Sequence, residues 1–204
     1  MATMTFAKVD FEAFGIPTFP ERMQAIKERV RPKLAALGGQ LQPALNELVR
    51  TEVYPHVAKH ARRTMHPPPE TWVAFGPSAR GYKKYGHFAL VVSRSGLHTR
   101  IVVKDEGENR SHMATLLMDR ASALAKVFAK QELARYDRWD YQDLPALVKP
   151  TADFWKSVAE TLAKKTGGLD VGFGWPPARA IKLNERQVLE AFDALLPLYE
   201  ITRA

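Results

Sequence analysis

The stretch HFALVVSRSGLHTRIVVK, His87 to Lys104, decides the reading of this chain. It alternates with a period of two on either side of Ser93, Arg94, Ser95 and Gly96, a turn of hairpin length with glycine where a positive φ is expected. Two antiparallel strands follow, His87 to Val92 and Leu97 to Lys104. Phe88, Leu90 and Val92 share one face of the first. In the second, Leu97, Thr99, Ile101 and Val103 face the core, which turns His98, Arg100 and Lys104 outward together.

Upstream, Thr71 to Phe75 (TWVAF) reads as a further strand ended by Gly76 and Pro77, and Ser78 to Gly86 as a loop interleaving basic and aromatic residues. Downstream, Leu169 to Trp175 alternates and stops at Pro176 and Pro177. The flanks change period. Met23, Ile26, Val30, Leu34 and Leu37 recur at helical spacing, with Pro32 expected to kink or divide the helix and Gly38 and Gly39 to stop it. Leu41, Leu45, Leu48 and Val49 predict a second helix starting near Pro43.

A short helix is expected from Pro55 to about Thr64, with proline in its first turn. It would carry His56, Lys59, His60 and Arg63 on one face and Val57, Ala61 and Met65 on the other. Met113 to Phe128, Thr151 to Lys165, and a last segment capped by Asn184 and ending at Pro197 read as amphipathic helices, and Tyr136 to Pro150 as irregular. Helices, a group of antiparallel strands, then helices around one more strand is an α+β order. The expectation is one α+β domain, residues 1–204, with a central, mainly antiparallel sheet packed by helices from both termini.

Composition agrees, with 46% hydrophobic and 25% charged residues, enough for a full core. The absence of cysteine excludes disulfides, thiolate zinc sites and a thiol nucleophile. No run approaches the about 20 apolar residues of a membrane span, and Met1 to Phe14 lacks the pattern of a secretory signal. A soluble, cytoplasmic protein without a membrane partner is predicted.

Charge is concentrated in one place. Arg50 to Lys104 holds ten Lys or Arg against Glu52 and Glu70, a surplus of eight that equals the net charge of the whole chain, together with five of its six histidines. The remainder is neutral. Such a field attracts an anionic partner, through arginine forks on phosphate or carboxylate and through ring stacking if the partner is nucleic acid. The expected ligand-binding residues are His56, Lys59, His60, Arg63, Arg80, Lys83 and Lys84, converging from the helix at Pro55, the loop at Ser78 and the strand at Leu97. A second reading is an enzyme on a phosphorylated or carboxylated small molecule, with His56, His60 or His87 as acid or base. A third is a protein-interaction module.

Other signals are weaker. His56 and His60 have the spacing of a helical metal pair but no intervening glutamate, and Lys59, Arg62 and Arg63 beside them repel a cation, so no metal is expected. Gly76 to Gly81 is not a nucleophile elbow. Gly167-Gly168 and Gly172 to Gly174 lack the strand-then-helix context of a phosphate loop, and no cofactor is expected. Trp72, Trp155 and Trp175 are assigned to the core, and Trp139, in the polar stretch 136–143, is the exception whose exposure is left open.

Pro55 to Thr64 (PHVAKHARRT), Pro67-Pro68, Thr71 to Phe75 and Arg80 to Lys84 (RGYKK) together resemble the YktB-like family of uncharacterised bacterial proteins. Glu28 to Lys33 and Leu195 to Tyr199 extend the resemblance over most of the chain, while Met65-His66 and the third proline, Pro69, depart from it. The resemblance implies a one-domain cytosolic α+β protein, related in topology to biotin-ligase-like domains. The family has no assigned function, so it supplies no catalytic residue.

Overall fold

The computed structural model describes residues 6–203 apart from Arg62, Arg138 and Gln142. The first five residues of the N-terminal reading, and Arg62 of the basic segment, therefore lie outside it. Helices α1 (Lys8–Glu12), α2 (Phe19–Ala25) and α3 (Arg31–Val49) lead into strands β1 (Tyr54–Val57), β2 (Glu70–Gly76), β3 (His87–Ser93) and β4 (Gly96–Val103). Next come α4 (Arg110–Asp119), α5 (Ala121–Val127), β5 (Leu133–Arg135) and β6 (Leu147–Val148). The order closes with α6 (Ala152–Ala163), β7 (Leu169–Trp175), α7 (Pro177–Ala180), α8 (Glu185–Ala194) and α9 (Leu196–Thr202).

All seven strands join one sheet in the order β1-β2-β3-β4-β7-β5-β6, and every pairing is antiparallel. This is the expected α+β architecture. The hairpin of the opening stretch is present, with Ser93 paired to Gly96, whose φ is 143°. A side chain at Gly96 would run into the carbonyl of Trp175, so glycine is needed there for space as well as for conformation.

The sheet has two unlike faces. Val73, Phe75, Phe88, Leu90, Val92, Leu97, Ile101, Val103 and Val171 point into one core with Leu34, Leu41 and Leu45 of α3 and the apolar sides of α4, α6, α8 and α9. Phe88 stacks on Tyr199 at 4.7 Å and meets Phe192 at 5.0 Å, which ties the middle of the sheet to the C-terminal helices. Burying each such ring contributes about 1.5–3 kcal/mol. Trp72, His87, Ala89, Val91, His98, Arg100, Val102 and Asp170 lie on the second face, covered by loops.

Several local expectations change in the structure. Gly38 and Gly39 do not stop a helix, because α3 runs through them to Val49 and absorbs the segment around Pro43. Gly38 instead lets the helix approach the sheet: a Cβ there would lie 3.0 Å from Pro55 Cβ and 3.1 Å from Val73 Cγ2. The division expected at Pro32 occurs as a π-turn, Ile26–Val30, ahead of α3. The helix expected from Pro55 is absent. Residues Tyr54–Val57 form β1 at the edge of the sheet, where proline's missing N–H costs no ladder bond, and His60 takes a left-handed φ of 51° that no α-helix admits.

Near the C-terminus Asn184 caps α8 as expected, and Gln187 completes a capping box with it, but a further helix, α9, resumes with Pro197 in its first turn. The helix over Met113 to Phe128 is split at Arg120. Nor does β4 turn charge to solvent. All eight of its residues are buried, because Tyr136 and Trp139 from the β5–β6 connection lie over His98 and Arg100.

Candidate anion-binding face

The second face is built around Trp72 on β2. Alternation along β2 sends Val73 and Phe75 into the main core and leaves Trp72 on the other side, partly exposed rather than in the core assigned to it. Its indole Nε1 donates to the Tyr82 hydroxyl at 2.9 Å. The Tyr82 ring, supplied by the β2–β3 loop, sits between His56 at 5.5 Å and His87 at 4.8 Å. His60 meets Trp72 edge-on at 5.4 Å, and Lys104 Nζ lies 5.2 Å from the Trp72 ring centre. Three histidines, a tyrosine and a tryptophan thus form one continuous strip of rings.

The histidines are fixed in place. His56 Nε2 donates to the Ser78 carbonyl at 2.9 Å and His87 Nδ1 to that of Tyr85 at 2.8 Å, while His60 Nε2 is 3.0 Å from the Thr71 hydroxyl. Burial lowers His87 to about 3, with Lys104 and His56 adding to the effect despite the Tyr85 carbonyl. Burial, then Arg63 and Arg31, lowers His60 to about 4. Both are neutral rings at physiological pH.

Beside the strip lies a buried charge cluster. Arg100 Nη2 is 2.8 Å from Glu70 Oε2 and Nη1 is 3.4 Å from Asp170 Oδ2. The guanidinium carbon is 3.7 Å from the ring centre of Tyr136 and 4.9 Å from that of Trp139, the tryptophan whose exposure the sequence left open and which is buried. Burial alone would lower the pKa of Arg100, but Glu70 and Asp170 outweigh it and hold the cation above its usual value. Burial raises Asp170 to about 6 against the pull of Arg100. Glu70, Trp72, His87, Arg100, Lys104 and Asp170 line a cavity with about 10 Å³ of interior, space for roughly one water.

The expected site residues separate into two groups. His56 and His60 belong to the strip, and the charges of Lys59, Arg63 and Arg80 are exposed, with no ion pair among the described residues. Lys83 and Lys84 are instead held at 2.8 and 2.9 Å by Glu106 and Glu108 of the β4–α4 turn. Glu70, Tyr136 and Asp170 had no signal in the sequence, since each becomes a neighbour of Arg100 only through strand pairing. Among the described residues no group of three or more His, Asp or Glu is placed to hold a metal ion, and no helix is long and apolar enough to cross a membrane.

The fold and this face define an α+β protein with one seven-stranded antiparallel sheet, helices over one side and a ring-lined, loop-covered other side. The chain belongs to the bacterial family described as a domain of unknown function, DUF1054, which matches residues 6–199. It is 30% identical over 197 residues to a UPF0637 protein of Oceanobacillus iheyensis, covering 96% of this chain and 95% of that one. A UPF0637 protein of Staphylococcus saprophyticus is also 30% identical, over 98% of this chain and all of its own. A UPF0637 protein of Bacillus velezensis is 51% identical over 90 residues, 44% of this chain and 43% of that relative, so this match spans less than half the relative's length.

Proposed function

We propose that the second face binds an anionic, phosphate-bearing ligand, nucleic acid included, with its rings against the Trp72 strip and its phosphates on the neighbouring cations. The observation that supports this reading is the continuity of the strip: Trp72 and Tyr82 are bonded to each other and partly exposed, Lys104 lies over the Trp72 ring, and Lys59, Arg63 and Arg80 are exposed cations close in sequence to His60 and Tyr82. Ring stacking is worth about 1–3 kcal/mol per base and tolerates any base, while the cations make binding salt-dependent. His56 and His60, both partly exposed, serve as fixed ring surfaces, and the buried His87 backs the Tyr82 ring. Anisotropy of a labelled single-stranded oligonucleotide, titrated at several salt concentrations with the intact protein and with Trp72→Leu, tests the reading. Binding that weakens with salt and is lost in Trp72→Leu is expected. Salt-independent binding, or none, would overturn it.

A further inference from the structure

Arg100 is 1% exposed, yet its Nε and Nη2 make no well-formed hydrogen bond among the described residues, and neither do Glu70 Oε2 and Asp170 Oδ1. Arg100 Nη2 and Glu70 Oε2 are ion-paired to each other at 2.8 Å, which leaves Arg100 Nε and Asp170 Oδ1 as the donor and acceptor without a partner among the described residues. Buried donors and acceptors left in this state are uncommon, and each costs free energy until a partner arrives. All three residues line the cavity, and Trp72 and Lys104 form another part of its wall. Glu70, Arg100 and Asp170 therefore share the walls of one cavity with Trp72 of the ring strip.

The occupant must satisfy both kinds of group. A phosphate oxygen only accepts, and two carboxylates repel it; an ammonium only donates, and Arg100 repels it. A hydroxyl does both, donating to a carboxylate while accepting from the guanidinium, and it has the size of the water that the cavity admits. In a phosphate-bearing, ring-containing ligand the group that answers to this is a ribose hydroxyl.

We propose, resting on the function argued above, that the Glu70–Arg100–Asp170 cavity takes a ribose 2′-hydroxyl, so that the face selects ribonucleotides over their deoxy counterparts. The 2′-hydroxyl is both donor and acceptor and is the group that separates RNA from DNA at a given site. The shared chemistry is the ribose, whether from a free nucleotide or from an RNA strand.

The experiment compares oligouridine with oligodeoxyuridine of equal length, and uridine with deoxyuridine monophosphate, on the intact protein, Glu70→Gln and Asp170→Asn, each verified as folded by its thermal transition. On the order of tenfold tighter binding of the ribose form is expected, with the ratio falling toward one in both variants. Discrimination among strands but not monomers assigns the site to RNA, and the converse to a nucleotide. Equal affinity for ribose and deoxyribose forms overturns the inference while leaving phosphate binding intact, as for a cavity that holds water alone. A ratio unchanged in both variants also overturns it. No binding of any probe removes the underlying function as well.

Discussion

The guanidinium of Arg100 lies 3.7 Å from the ring centre of Tyr136 and is flanked by Glu70 and Asp170. One cation thereby joins β4 to β2, to β7 and to the connection that covers them. Removing it leaves two carboxylates facing each other with little access to water. Arg100→Met is expected to cost about 3–5 kcal/mol, the range for a buried pair that loses one partner. Adding Glu70→Gln and Asp170→Asn should recover most of that loss. Denaturant midpoints of the single and triple variants check this.

Acid should destabilise the protein. His87 and His60 are lowered from 6.5 to about 3 and about 4, so the unfolded chain takes up their protons first. Their contribution is present in full above pH 6.5 and is lost as pH falls toward 4. Asp170, raised from 3.8 to about 6, works the other way: its cost is felt above pH 6 and is relieved on the way down to 3.8. Two histidines over a wider interval outweigh one carboxylate. The melting temperature is expected to fall between pH 6.5 and pH 4, and to fall less in His87→Gln.

Two glycines should respond in opposite senses to alanine. Gly96→Ala forces a side chain into the Trp175 carbonyl at a φ of 143° and is expected to cost about 2 kcal/mol or more. Gly39 lies inside α3 with open space where its Cβ would be. Gly39→Ala should therefore stabilise by about 0.5–1 kcal/mol. Thermal melts of the two variants side by side measure the contrast.

The paired and unpaired lysines should part in binding. Lys59→Ala, Arg63→Ala and Arg80→Ala each remove an exposed charge of the basic segment, unpaired among the described residues, and should lower the salt slope of oligonucleotide binding by about one. Lys83→Ala and Lys84→Ala remove charges already held by Glu106 and Glu108 and should change affinity less than about twofold. A larger loss from Lys83 or Lys84 than from Arg63 would place the ligand elsewhere.

Periodicity carried most of the sheet. Strands β2, β3, β4 and β7 were legible because every second residue enters one core, and the α8 start because Asn184 is a good N-cap ahead of an amphipathic run. The region from Pro55 was misread because its polar spacing fits a helix, whereas pairing with β2 and the left-handed His60 decide its course. The candidate site was legible only as a count of charges. Which lysines are neutralised, and which acids meet Arg100, depends on register between segments up to 100 positions apart in number, such as Glu70 and Asp170.

The place of β7 in the sheet has a consequence for synthesis on the ribosome. It is inserted between β4 and β5, although it is made after β5 and β6. A nascent chain that has emerged only as far as Pro150 holds β4 with a bare edge, and β5 has no strand but β6 to join. The rings of Tyr136 and Trp139 can then settle over Arg100 only once Leu169–Trp175 has emerged, which makes the cover of the second face the last part to close. Protease cleavage between residues 133 and 148 of ribosome-held chains should persist until that strand is free of the tunnel.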